Sequence, residues 1–361
     1  MRTFVYAAVV SVAAAGLPHS LQGQTAETKT AEQVYKNIQE LKGTPADQLM
    51  PAVQFISAAL GVECSFCHVQ GNFAADDKRP KKTAREMMAM QASINQNSFR
   101  GQRVVTCYSC HRGAMNPVST PPVMESDQAR QPGPGAAQAP GAAASTPDQV
   151  VEKYIAAVGG ADALHKITSR VETGTIHAMG ADSPIEVLTK APNMRMSITH
   201  IGNAQSTTAF DGTIGWLGSA GRPAHAMSPE EDWAASLDAE FYLPLRLKEI
   251  FPQLRRGRPE EINGKACNVI NASSPGHPPV RLYFDAQSGL LVRMLRLADT
   301  PVGRLPTEID YADYRDADGV QIPFRWTLAR PSTRFTIQIS EVKSNGPIAD
   351  SRFAMPQGEV K

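Results

Sequence analysis

Cysteine and histidine occur together at two places in the 361-residue chain, Cys64-Ser65-Phe66-Cys67-His68 and Cys107-Tyr108-Ser109-Cys110-His111. In each, two thiols lie three positions apart and an imidazole follows directly. That spacing is the attachment signature of haem c. Two thiols add across the two vinyl groups of one porphyrin, and the next residue is placed under the ring to bind iron through an imidazole nitrogen. Two copies use four of the five cysteines, so Cys64, Cys67, Cys107 and Cys110 are read as holding two covalently attached haem c groups, with His68 and His111 as iron ligands. Other chemistries also use paired thiols. A zinc ribbon would take four thiolates but leaves the two histidines without a role. A redox dithiol needs one pair near a βαβ pattern, which this sequence lacks. A pair of structural disulfides is the third alternative.

The sixth iron ligand separates an electron carrier from an enzyme. Of eight histidines, His19 falls in the N-terminal apolar segment and His68 and His111 are used. The other five, His165, His177, His200, His225 and His277, all lie after residue 146. Methionine is the next natural ligand, and a His–Met pair is the arrangement of electron-transfer cytochromes. Met50 precedes the first motif, and Met87, Met88 and Met90 precede the second. Met115 and Met124 are outsiders, and core filler is the commoner role for any one methionine.

The segments that must position these groups follow a repeated plan. Thr30-Ala31-Glu32-Gln33 reads as a capping box that opens a helix with Val34, Ile38 and Leu41 on one face and Gly43 as its stop. A second helix runs from Thr44-Pro45 to Gly61, with Pro51 expected to kink it. Residues 69–80 read as a polar loop, and 81–97 as a third helix with Met87, Met90 and Ile94 in register. The motifs are 43 residues apart, Cys64 to Cys107, so the unit reads as an internal duplication of helix, loop and haem motif.

Residues 1–24 have the form of an export signal: Arg2, an apolar stretch over 4–17, then Pro18. An uncleaved membrane anchor is the competing reading. Export to the periplasm suits a haem attached outside the cytoplasm. Residues 119–146 are rich in Pro, Ala, Gly and Ser and read as a flexible linker between a dihaem domain at 25–118 and a second domain at 147–361. The second domain opens with short helices near 147 and 161 and then alternates in strand fashion. Strands are expected at 169–175, 185–190, 194–200, 205–210, 267–272, 280–285, 290–297, 306–314, 320–328 and 334–342, with one helical interruption between Pro229 and Leu247. The fold class is therefore multidomain: an α-helical dihaem cytochrome c followed by an antiparallel β domain, a curved sheet or half-barrel with a few helices. Net charge of +1 argues against nucleic acid as a partner. Cys267 reads as a small buried hydrophobe. Lys78-Arg79-Pro80-Lys81-Lys82 reads as a solvated basic face, or as a docking patch for an acidic redox partner.

Residues 32–118 resemble the cytochrome c subunit of photosynthetic reaction centres. The matching text is Leu49-Met50 before Cys64, Ala84-Arg85-Glu86-Met87 with Ile94-Asn95, and the run from Val105 through Cys107-Tyr108-Ser109-Cys110-His111 to Gly113. The resemblance implies Met50 as the sixth ligand of the first haem and Met87 of the second, with Met88 and Met90 as alternatives. It implies a periplasmic carrier passing electrons between redox partner proteins, membrane-bound ones included, and no enzyme activity. The family carries four haems and often a lipid-anchoring cysteine, whereas this chain has cysteines for two haems and none near its start. Residues 150–357 are similar in pattern to the curved sheet of periplasmic lipoprotein carriers, LolA-like, which implies a lipid or apolar ligand between sheet and helices. The favoured expectation for that domain is a docking or scaffold role with a filled core. Two rival functions are a dihaem enzyme of peroxidase type, which needs an open sixth position, and a redox-switched ligand-binding protein, which needs an apolar cavity in 150–357.

Overall fold

A computed structural model describes residues 29–117, 145–178, 180–202, 204–331 and 333–356. The expected export signal, most of the expected linker and Met124 lie outside these residues.

The N-terminal part is helical. Its elements are α1 (Ala31–Val34), α2 (Leu49–Leu60), α3 (Cys64–Cys67), α4 (Arg79–Phe99) and α5 (Cys107–His111). The capping box opens α1, where the Thr30 amide donates to Gln33 Oε1 at 2.9 Å. The expected continuation to Leu41 does not form. The chain turns back through Asn37 at φ 61°, and both Glu32 carboxylate oxygens accept from the Gly43 amide at 3.0 Å. A 3-10 turn, Ala46–Gln48, leads into α2. Pro51 falls in the first turn of α2, where its missing N–H has no helical acceptor to lose, so the expected kink is not required. Gly61 ends α2 in the left-handed conformation at φ 65°.

The C-terminal part opens with α6 (Pro147–Ala157) and α7 (Ala161–His165), the first capped by the Thr146 hydroxyl accepting from the Gln149 amide. Fourteen strands follow: β1 (Ser169–Ala178), β2 (Ala181–Lys190), β3 (Met194–Ile201), β4 (Ala204–Phe210), β5 (Gly215–Ser219), β6 (Arg222–Ala226), β7 (Gln253–Arg256), β8 (Glu260–Ile262), β9 (Lys265–Ser273), β10 (Val280–Asp285), β11 (Leu291–Thr300), β12 (Gly303–Ala317), β13 (Val320–Arg330) and β14 (Thr333–Ser344). Between β6 and β7 stand α8 (Pro229–Ala239) and α9 (Leu243–Ile250), two helices where one was expected. The antiparallel order is β6-β5-β4-β3-β2-β1-β14-β13-β12-β11-β10-β9-β7, with β8 on β9. Strands β5 to β8 were not expected. They are short, β6 carries Pro223 at the sheet edge, and none has a long apolar alternation.

One apolar core joins residues from β2 (Val187), β14 (Ile339), β11 (Met294) and β9 (Ile270) to Tyr154 of α6 and Leu247 of α9. Strands that far apart in the order can share one helical cluster only if the sheet curves around it. Cys267 is buried with Val269 and Tyr283, as expected of a small hydrophobe.

The helical part rests on this sheet. The ring of Phe55 on α2 lies against Gly303, where any Cβ would stand 2.4 Å from the ring. Gln48 Nε2 donates to Glu230 Oε1 at 3.4 Å, and Arg103 approaches Asp299 at 4.0 Å. Among the described residues no helix is long and apolar enough to cross a membrane.

Candidate functional site: the cysteine–histidine crevice

Residues 29–117 have almost no apolar core of their own. Their only buried apolar side chains are Ala31, Leu49, Ala52 and Ala59. Yet of the eleven large apolar side chains that stand exposed among the described residues, ten belong to this part, Val34 through Met115, and only Ile214 does not. Soluble domains do not leave their large apolar residues outside and their alanines inside unless something covers them. A planar apolar group the size of haem fits that deficit.

A mostly apolar crevice of about 620 Å³ opens in this part. Its walls come from the C-terminal half of α2 (Ile56, Leu60), from α4 and from the second motif. On α4, Ala84, Met87, Met88, Gln91 and Ile94 form one stripe at helical spacing, with Met90 at its border. Cys107, Cys110 and His111 face them, and Cys67 and Phe66 of the first motif close one end. The two motifs therefore border one space. A hydrogen bond ties the end of α2, just before the first motif, to the chain just past the second, since the Gly113 amide donates to the Ala59 carbonyl at 2.9 Å. Met50 does not line this crevice. It stands on the first turn of α2, 52% exposed.

Both motif histidines are oriented in the same way. His68 Nδ1 lies 3.0 Å from the Phe73 carbonyl, and His111 Nδ1 lies 3.1 Å from the Ala114 carbonyl. A carbonyl only accepts, so Nδ1 carries the proton and Nε2 keeps its lone pair for a metal. The first carbonyl is itself held. Lys81 Nζ donates to the carbonyls of Phe73, Ala74 and Ala75 at 2.9, 3.0 and 2.8 Å and pairs with Asp76 at 3.1 Å. Arg85 beside Asp76, together with Asn37 and Lys81, holds the Asp76 carboxyl well below the usual carboxylate range. Lys78 donates to the Ser65 carbonyl inside the first motif. Within the run 78–82, Arg79 and Lys82 are exposed, as a solvated face expects, whereas Lys81 has an internal role. Lys81 is buried and clamps the loop that orients His68.

The second motif has its own clamp, which the sequence reading missed. Asn95 donates to the Val105 carbonyl at 2.7 Å and accepts from the Val104 and Val105 amides at 3.1 and 2.9 Å, while Gln91 donates to the same carbonyl at 2.7 Å. Two amides, four residues apart on an otherwise apolar stripe, were the signal that could have found it. Asn95→Ala should cost about 1–3 kcal/mol, because the amides it serves lose their acceptor. Urea denaturation followed at the haem absorption band would measure it.

Burial pushes the Cys67 and Cys107 thiols up, opposite to the shift of a reactive redox cysteine. Among the described residues no three Cys, His, Asp or Glu side chains are grouped to hold a metal ion, so the four thiols do not form the zinc-ribbon cluster.

Residues 5–206 match the family profile described as the photosynthetic reaction centre cytochrome C subunit, more than half of the chain. The chain belongs to this family. The reaction centre cytochrome c subunit of Thermochromatium tepidum is 35% identical over 94 residues, covering 24% of this chain and 22% of that protein. Cytochrome c-554 of Chloroflexus aurantiacus is 34% identical over 87 residues, covering 22% and 21%. The chain thus spans about a fifth of the length of these curated relatives. A solved LolA superfamily protein from Nitrosomonas europaea aligns at a TM-score of 0.42 and 12% identity, covering 58% of this chain and 98% of its own. The matched relatives are named as cytochromes c.

Proposed function

We propose that this chain is a periplasmic dihaem cytochrome c that carries electrons between redox partner proteins and has no enzyme activity. The observation that carries the reading is the inverted N-terminal part: large apolar side chains exposed around two Cys-x-x-Cys-His turns, with alanines where a core would be. In this reading Cys64 and Cys67 hold one haem and Cys107 and Cys110 the other. Bound haem c supplies an iron that alternates between ferric and ferrous states. The protein's own work is to hold and exclude. His68 and His111 present Nε2 to iron because Phe73 and Ala114 fix their Nδ1 protons. Met87 offers its thioether from the middle of the α4 stripe, with Met88 and Met90 beside it, and Met50 offers its own from α2. The apolar crevice keeps water from the second iron, which favours a small change in charge solvation on electron transfer. The dihaem domain spans 25–118, follows an export signal at 1–24 and is joined by a linker at 119–146 to the β domain at 147–361.

The test is a ferric absorption spectrum, with a haem stain on a denaturing gel, for the parent and for Met50→Ala, Met87→Ala, Met88→Ala and Met90→Ala. Covalent haem is expected, with a far-red methionine–iron band that falls by about half in Met50→Ala and in Met87→Ala and stays in the other two. A high-spin parent spectrum would mean an open iron and would overturn the carrier reading in favour of a peroxidase-type enzyme.

A further inference from the structure

The two motif histidines direct their Nδ1 protons at carbonyls that differ in what else they accept. The Ala114 carbonyl accepts from His111 at 3.1 Å and from no other donor among the described residues. The Phe73 carbonyl accepts from His68 at 3.0 Å and also from Lys81 Nζ at 2.9 Å. That second donor is an ammonium group on a side chain packed inside the loop, with Lys81 only 8% exposed. Water does not compete for it there, so the charge acts on the carbonyl with little screening.

The charges around this shared oxygen come from the loop and the start of α4. Asp76 is the carboxylate that faces them, and it pairs with Lys81 at 3.1 Å and with Arg85 at 3.0 Å. Lys78 donates to the Ser65 carbonyl within the first motif. Asp77, Arg79 and Lys82 are exposed. One buried carboxylate therefore serves two cations, and Lys81 spends its remaining donors on the carbonyls of Phe73, Ala74 and Ala75. The second motif has no counterpart. Asn95 and Gln91 hold the Val105 carbonyl, which is not the acceptor of His111.

The difference has a consequence for bound iron. An imidazole that donates strongly through Nδ1 becomes a more basic ligand, which favours the ferric state. A carbonyl already drawn on by an ammonium group is a weaker acceptor for that proton. The positive charge itself acts in the same direction, because the ferrous site carries one charge less.

We propose that Lys81 is a positioning residue that keeps the reduction potential of the first haem high, by sharing the Phe73 carbonyl with His68. The proposal rests on the dihaem reading above. Lys81 acts on one haem and leaves the other to its unshared Ala114 carbonyl.

The experiment is a spectroelectrochemical titration of the full holoprotein, followed at the haem absorption band and fitted as two one-electron steps. The parent is compared with Lys81→Met, Asp76→Asn and Lys78→Met, and circular dichroism reports their folding. In Lys81→Met one step is expected to fall, so that the reduced-to-oxidised ratio at a fixed potential drops about tenfold, or about 59 mV for one electron. The other step should move less than threefold. Asp76→Asn frees Lys81 from its counter-charge and should raise the same step at least threefold. Lys78→Met removes an equal charge beside the same motif but leaves the carbonyl shared, and should move it less than threefold. An unmoved step in folded Lys81→Met, or an equal fall in Lys78→Met, would overturn the proposal. A fall in Asp76→Asn would show that loosening of the loop moves the potential, and would overturn it too. The rise in Asp76→Asn decides the matter even where Lys81→Met fails to fold. A parent without covalent haem would overturn the dihaem reading and this proposal with it, whereas two haem steps that ignore Lys81 and Asp76 would overturn this proposal alone.

Discussion

On the proposed dihaem reading, a chain carrying Cys107→Ser and Cys110→Ser is expected to hold one haem fewer than the parent, and to lose the ordered structure of residues 79–117. The reason lies in what the second group would cover. Phe66, Met87, Met90 and Met115 line the crevice and are exposed without it. Fully burying a large apolar side chain contributes about 1.5–3 kcal/mol; these four are 38–48% exposed, so covering what remains amounts to roughly 3–5 kcal/mol. That is a large share of the stability of a small domain. Nothing else in this part can replace it, because its buried apolar residues are three alanines and Leu49. Haem content by pyridine haemochrome and limited proteolysis of the α4 region would check both halves of the result. A variant that kept α4 fully protected with one haem would show that the fold does not depend on the group. The β domain, with its own core, should unfold at an unchanged temperature.

The second large effect is expected at Gly61. This residue closes α2 at φ 65°, and a Cβ there would stand 2.1 Å from the Gly113 carbonyl oxygen, just past the second motif. The contact is backbone against backbone, so no rotamer change can relieve it. Gly61→Val should cost roughly 3–5 kcal/mol, combining a β-branched residue in the left-handed region with the forced separation of α2 from α5. In a helical part of this size that corresponds to a fall of roughly 15–30 °C in the melting temperature of the haem signal. Gly43→Val is the control. Gly43 has a similar φ of 75° but nothing within 4 Å of its would-be Cβ. It should therefore show the conformational cost alone, about 1–2 kcal/mol. If both variants melted alike, the Gly61–Gly113 approach would not be what holds the two motifs together.

Several elements were legible because their signals are local. The capping box at Thr30, the helix that opens near 147 and the glycine stop of α2 each depend on residues within a few positions of one another. The reading failed where local signals competed with distant partners. Val34, Ile38 and Leu41 have helical spacing, but the bond from Gly43 to Glu32 turns the chain back before a second turn can form. Lys81 looked like one member of a charged run, and only its three carbonyl acceptors show it to be an internal clamp.

By itself the sequence determined the two Cys-x-x-Cys-His motifs, the family and the antiparallel character of the second half. The spacing of thiols and imidazole is a covalent property of five consecutive residues, and strand alternation is a property of one segment. Only the tertiary structure decided what those pieces meet. Strand β1 pairs with β14, so Arg170 lies opposite Ser344, across most of the second half of the chain. That closure curves the sheet around a cavity of about 350 Å³, bordered by Arg170, Glu172 and Arg195, where a filled core was expected. The docking of Phe55 on Gly303 and the Asn95 clamp likewise join residues that no periodicity connects. Such contacts are set by how whole elements pack once their apolar faces are buried, and that packing is not written in any single window of sequence.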